Sequence, residues 1–364
     1  MKKIYLGALL LAGMLLSSCT NEDDGEVVSQ VNDVKVSVSL ANFYSSYNYN
    51  DTYHDINVTD AYRTFNSEYG FYIQTRVLFY DSNSNLVDSI LLYSTNTNDI
   101  NQAVSLPQGS YTAVATLTFA QKSKQTDKYF SWWNLIDKQS LFTAKISADW
   151  NRFSKWSIMS YASKTFTVSS GQSTTISLNP QPVGSLGYVF LQNFQYKNEA
   201  TYGTVADNDI RSLCVYARNV SRVFKLDPNL SGLSHYEYFD DAGSNSWYYL
   251  SDYMEPTDFD DSWTYFKTNL YDYFYILAPN PIVQFGYKVK GASGFQGYGE
   301  QSVNLTNGAT YLAYWDYFQV GNPYFGIADN NHWHSYSSAR AMEPGQNYSV
   351  LQEVATPSRY SLFK

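Results

Sequence analysis

The sequence has little with which to do chemistry. Its 364 residues include two cysteines and four histidines. Two cysteines exclude a disulfide scaffold and a cysteine-rich zinc framework. It has no Gly-x-Ser-x-Gly elbow, no phosphate-binding loop and no His-Glu-x-x-His pair. Charged residues are only 16%, and 33 acids against 24 Lys and Arg leave a net charge of -9. That sign excludes a general nucleic-acid binder, which needs a positive field, and argues against adsorption to anionic membranes. Long apolar runs are also missing, since the run at 4–16 stops at thirteen residues, too short for a permanent membrane span. Aromatics, in contrast, are abundant: Tyr 35, Phe 21 and Trp 8, or 18% of the chain. With 44% apolar residues the chain can fill sizeable cores, and its length suits two domains.

The N-terminus reads as an address. Lys2 and Lys3 precede the apolar run, which ends in Leu16-Ser17-Ser18-Cys19. This is the layout of a signal peptide, and its end resembles a bacterial lipobox. The resemblance implies cleavage before Cys19, lipidation of its thiol (palmitate among the acyl chains) and attachment to a membrane by lipid alone. Residues 1–18 are thus expected to be removed, and 19–33 to form an acidic tether. Asn21-Glu22-Asp23-Asp24 resembles the signal that sends lipoproteins to the outer face of the outer membrane. Cys214 remains as a lone thiol in an alternating segment and reads as a small buried hydrophobe.

Strand patterns dominate the body. Residues 34–40 alternate apolar and polar, as in a half-buried strand. Residues 75–80 and 86–93 flank the turn formers 81–85, and 111–119 alternates again. Residues 164–168 and 174–178 flank Ser169-Ser170-Gly171-Gln172 and read as a hairpin. Short helices are expected only at 131–140 and 258–273. Landmarks recur in order: Val77-Leu78-Phe79-Tyr80 with Leu213-Cys214-Val215-Tyr216, Leu106 to Ala113 with Leu305 to Ala313, and Gly171-Gln172 with Gly345-Gln346. The expected architecture is all-β: two tandem antiparallel β-sandwiches at 34–182 and 183–364, joined at Asn179-Pro180-Gln181-Pro182, with an aromatic and acidic insert in the second at about 224–302.

Sites for chemistry are sparse. His332 and His334 sit two apart, with Asp329 near, and Asp258, Asp260 and Asp261 cluster. On a strand the two histidines face one side, a spacing a metal site can use with Asp329 as third ligand, but no acid or cysteine cluster completes the set. The three aspartates lack the EF-hand spacing and its distal glutamate, so no metal and no cofactor are expected. His54 and His235 have no such company. Gly291 to Gly299 is glycine-rich but lies between strand patterns, so it lacks the helix N-terminus that cradles phosphate. It reads as a hairpin loop. The insert interleaves rings and acids, and Trp247, Tyr248, Tyr249 and Trp263 are its candidate binding residues. Three successive rings in a strand cannot all face one core, so at least one of 247–249 is expected at the surface. Asp88-Ser89-Ile90 resembles a short O-glycosylation acceptor, but it falls inside an expected strand.

Together the lipobox, the strand–turn–strand at 77–87, Leu106-Pro107-Gln108-Gly109-Ser110-Tyr111 and the closing Val168-x-x-Gly171-Gln172 resemble the fimbrillin superfamily. The likeness is to its lipoprotein anchor and accessory (tip) subunits. It implies two transthyretin-like sandwiches and a non-enzymatic role in cell adhesion or fimbria assembly, with fimbrial subunits or other surface proteins as partners. Stalk subunits of that family are cleaved after an arginine, and neither Arg63 nor Arg76 sits in such a context, so anchor or tip fits better. The alternative is a surface glycan-binding lipoprotein of a polysaccharide-uptake system that uses exposed Trp and Tyr as sugar platforms.

Overall fold

A computed structural model describes residues 31–41, 43, 50–51, 56–57, 71–123, 126, 128–148, 157–194, 210–238, 248–249, 268–289, 295–316, 324–327 and 352–354. Among these the chain is all-β, with a short 3-10 turn at Gly232–His235. The strands of the first half are β1 Val31–Val38, β2 Asn50–Asp51, β3 Ile56–Asn57, β4 Phe71–Asp81, β5 Leu86–Ser94, β6 Ile100–Pro107 and β7 Gly109–Lys122. They continue with β8 Tyr129–Ser131, β9 Trp133–Ile136, β10 Lys145–Ala148, β11 Met159–Val168, β12 Thr174–Leu178 and β13 Gln181–Val183. The second half adds β14 Ser185–Phe194, β15 Ile210–Arg218, β16 Ser221–Lys225, β17 Tyr236–Tyr238, β18 Tyr248–Tyr249 and β19 Thr268–Ile276. It ends with β20 Ile282–Val289, β21 Phe295–Ser302, β22 Thr310–Asp316, β23 Tyr324–Ile327 and β24 Gln352–Val354.

In the first half, β12-β1-β6 forms one sheet and β13-β11-β7-β4-β5 the other, with β8 added at the end of β7. The alternation at 34–40 does what it implies: Val34, Val36 and Val38 are buried, and Lys35 is exposed. The larger sheet is covered on both faces, so β4 and β7 are almost wholly buried rather than alternating. On the face toward the small sheet, Phe43 meets Phe119 edge-on at 5.0 Å, and Phe71 meets Phe119 at 6.3 Å. Farther along, Phe166 stacks on Tyr111 and meets Phe79 edge-on.

The opposite face is covered by a four-stranded sheet, β17-β16-β10-β9, that draws strands from both halves. β10 pairs β16 antiparallel, with Lys145 opposite Lys225 and Ile146 opposite Phe224. Tyr161 on β11 donates to the Leu226 carbonyl at 2.9 Å and packs edge-on against Phe224. Trp133 on β9 donates to the Ser157 carbonyl at 2.9 Å and meets Tyr275 of β19 edge-on at 6.4 Å. One hydrophobic cluster therefore runs from Val34 through Trp133 to Phe224, Tyr236, Tyr275 and Leu277.

The second half repeats the pairing logic of the first. β1 pairs β12 parallel and β6 antiparallel; β14 pairs β22 parallel and β19 antiparallel. β4 lies between β5 and β7, and β15 lies between β18 and β20. β4 and β15 carry the Leu78–Tyr80 and Cys214–Tyr216 landmarks, so that correspondence is topological as well. The second landmark pair is not: Leu106 to Ala113 is the β6–β7 turn, whereas Leu305 to Ala313 leads into β22, the counterpart of β12. Gly345-Gln346 lies outside the described residues.

Several expectations change in detail. Residues 164–178 are not a hairpin: β11 pairs β7 and β13, whereas β12 crosses to the other sheet and pairs β1. Gly171, at φ 68, makes the turn of that crossing. Residues 131–140 hold β9 instead of a helix, and 268–273 belong to β19. The stretch 224–302 supplies β19, β20 and β21 to the sheets of the second half. The linker at 179–182 is partly strand, since Pro182 sits in β13 opposite Ser160. β13 is an edge strand, where a missing N–H is tolerated.

Candidate functional site

Of the residues singled out from sequence, Cys19, Trp247 and Trp263 lie outside the described residues. So do His54, Arg63, Asp258, Asp260, Asp261, Asp329, His332, His334 and the 291–294 part of the glycine-rich segment. Tyr248 and Tyr249 form β18, pairing Ala217 and Tyr216 at the edge of the β18-β15-β20-β21-β24 sheet. Their side chains, and that of Cys214, are not among those described. β20 and β21 pair antiparallel, and residues 295–299 of the glycine-rich segment belong to β21, so that part is strand and not loop. His235 serves the core: Nδ1 lies 2.9 Å from the Lys225 carbonyl, and its ring stacks on Phe224 at 4.9 Å. Arg76 lies mid-strand in β4, half-buried, and burial lowers the pKa of its guanidinium. No group of three or more His, Cys, Asp or Glu is placed to hold a metal ion among the described residues.

What the described residues do offer is the outer edge of β5. Among the described residues, 86–94 pair β4 on one side only, with a bulge where Leu86 and Asp88 face Tyr80 and Phe79. The first outward amide, Leu86 N–H, donates to the Gln139 carbonyl at 3.0 Å. The next, Ser89 N–H, donates to its neighbour Asp88 Oδ1 at 2.7 Å. A bulge and a local carboxylate are devices by which natural sheets blunt an edge. Ser89 N–H thus points away from β4, and the two-residue period gives the amides of Leu91 and Tyr93 the same direction. Beside them Val87 is 45% and Leu91 48% exposed. Asp88-Ser89-Ile90 lies in this edge strand, as expected.

The far end of the edge carries an aromatic cluster that sequence spacing could not reveal. Tyr93 of β5 stacks on Tyr129 of β8 at 3.7 Å, and Tyr72 of β4 meets Tyr129 edge-on at 5.0 Å. Gln74 Nε2 donates to the Tyr93 hydroxyl, and Thr118 donates to Gln74 Oε1. Lys122 Nζ sits 5.8 Å from the Tyr129 ring centre, and neighbouring Phe130 is 58% exposed. Three strands bring these rings together, and no short motif contains two of them.

No protein-family pattern and no curated protein matches the sequence. Solved structures with a similar course include a candidate polysaccharide-binding protein of Bacteroides thetaiotaomicron, at 10% identity and TM-score 0.44, covering 82% of this chain and 98% of that one. A candidate adhesin of Bacteroides ovatus gives 10% identity and TM-score 0.44, covering 87% and 96%. The fimbrial anchor protein Mfa2 of Porphyromonas gingivalis gives 10% identity and TM-score 0.37, covering 78% and 90%.

Proposed function

We propose that the chain is a surface lipoprotein that anchors or caps a fimbria, held to the outer membrane through Cys19 and joined to a subunit by a strand added at a sheet edge. The observation that carries this reading is the outer edge of β5, where outward amides at Leu91 and Tyr93 lie beside exposed Val87 and Leu91. The lipobox ending in Cys19 and the sequence likeness to fimbrial anchor and accessory subunits support it. Chemistry has no part in it.

Two measurements test the reading. Cys19→Ser should release a folded protein from the membrane fraction, and protease added to whole cells should degrade the wild type. Leu91→Lys should leave the fold intact, because the side chain already faces water, yet stop co-purification with fimbrial subunits. Retained co-purification would remove the β5 edge from the contact. The glycan-binding alternative draws on the Tyr72, Tyr93 and Tyr129 cluster beside exposed Phe130. Polysaccharide retention that is lost in Phe130→Ala, with subunit binding unchanged, would favour it.

A further inference from the structure

We infer that the chain is built to bear tension, with the parallel pair β1–β12 as the element that resists it. This rests on the reading that the chain is held at its N-terminal tether, and it concerns tension drawn through the second half, not load applied at the β5 edge. β1 is then the strand through which load enters. It is the middle strand of its sheet, pairing β12 over Val34↔Thr174 to Val38↔Leu178 and β6 over Val31↔Pro107 to Val38↔Ile100. Its inward side chains Val34, Val36 and Val38 are at most 2% exposed.

Direction decides how such a pair fails. Load pulls β1 toward its N-terminal end. The chain leaves the first half from the C-terminal end of β12, through β13 toward β14. Because β1 and β12 are parallel, these two forces act in opposite senses along neighbouring strands. Entry at Val31 and exit at Leu178 lie at opposite ends of the ladder, roughly 25 Å apart at the usual rise per residue. The bonds between the strands are therefore loaded together, in shear. An antiparallel neighbour would place entry and exit at the same end, as Val31 and Pro107 are, and its bonds would open one at a time.

The second half supplies the same device independently. Its first strand, β14, pairs β22 in parallel from Leu186↔Thr310 to Gln192↔Asp316, with β19 antiparallel on the other side. Ser185 Oγ donates to the Thr306 carbonyl, and Gly308 N–H to the Gly184 carbonyl, which fixes the start of that pair. A load passing from β12 into β14 thus enters the second half through a strand held by the same parallel pairing, and beyond β22 the chain runs on into β23, which pairs β22, and β24, which pairs β21. A second join runs beside the linker, through β10–β16. It does not change the entry strand.

Single-molecule force spectroscopy on the full mature chain tests this with two attachment geometries. One pulls between the N- and C-termini. The other pulls between the N-terminus and a handle in the exposed β6–β7 turn at Gln108, which unzips β1 from β6. Forced unfolding reports the unfolding barrier, and the first geometry should need roughly twice the force of the second or more. Equal or lower force in the first geometry overturns the proposal. A Ser37→Cys, Ser177→Cys pair joins outward-facing register partners of β1 and β12. Oxidised, it should delete the first-half rupture from the end-to-end trace, and reduction should restore it. An unchanged trace on oxidation also overturns the proposal. If Cys19→Ser protein stays with membranes, the anchoring reading fails instead, whatever the force data show.

Discussion

Lys145 Nζ lies 3.2 Å from Glu237 Oε2, and the two residues come from opposite halves of the chain. Glu237 also faces Lys225 at 3.6 Å, so one carboxylate serves two ammonium groups on neighbouring strands of the shared sheet. These side chains are partly exposed, and Glu237→Gln should cost less than about 1 kcal/mol. The backbone pairing beneath them is another matter. A fragment starting at Val183 loses β9 and β10 and uncovers Phe224, Leu226 and Tyr236, which are buried in the whole chain. The full chain should melt in one transition, and the fragment should be aggregation-prone. Two separated transitions in calorimetry, or a soluble fragment with native circular dichroism, would contradict this.

Trp133 is the largest side chain of this junction and is 1% exposed. Trp133→Ala should destabilise the chain by about 3–5 kcal/mol through the cavity it leaves. Trp133→Phe keeps most of the volume but strands the Ser157 carbonyl, at a cost of about 1–3 kcal/mol. Urea titration of both variants gives the order, and a Phe variant worse than the Ala variant would refute the packing account.

Two glycines with positive φ should respond differently to alanine. At Gly184, φ 86, an added Cβ would lie 2.6 Å from the Ile276 carbonyl oxygen and against the Tyr275 hydroxyl. Gly171, φ 68, has nothing within 4 Å. Gly171→Ala should cost about 1–2 kcal/mol from backbone strain alone. Gly184→Ala adds a clash with backbone and should cost clearly more. Equal midpoints in chemical denaturation would count against this placement of Gly184.

Burial pushes the Tyr161 hydroxyl up to about 12, with Asp227 adding in the same direction, and burial raises Tyr80 as well. A raised folded-state pKa means the neutral phenol is favoured by folding. The stabilisation is complete below the unfolded value of about 10 and is lost as pH rises from there through 12. Unfolding free energy measured against pH should fall over that window. In Tyr161→Phe the fall should be shallower, from a starting value lowered by the missing bond to Leu226. An identical slope in the variant would show that other groups govern the loss.

The strands themselves were legible, because a half-buried strand writes its two faces into alternate residues. Val34, Val36 and Val38 against Lys35 is the plain case. Which strand pairs with which was less so. Residues 164–178 look like a hairpin because a Gly turn is a local signal, whereas the crossing to β1 is decided by a strand far back in the chain. The shared sheet left no trace: β9 and β10 are four residues each, too short for a period, and the second partner of β10 begins at Ser221. The 131–140 segment, dense in Trp, Leu and Ile, gave a helix-like mixture for that reason. Candidate rings chosen for local density, Trp247 to Tyr249, missed Tyr72, Tyr93 and Tyr129, which only pairing brings together.

The shared sheet also sets an order of events. When a growing or emerging chain has delivered residue 148, β10 has β9 on one side and nothing on the other until 221–225 arrives. Through that interval Ile146 and Trp133 have only part of their cover. β1, likewise, waits for residues 174–178 before its parallel ladder can close. Contacts this distant in sequence make folding slow and leave strand edges open to other chains. A chain with this topology closes its ladders only when nearly all of it is present, and its open strand edges are exposed to other copies until then.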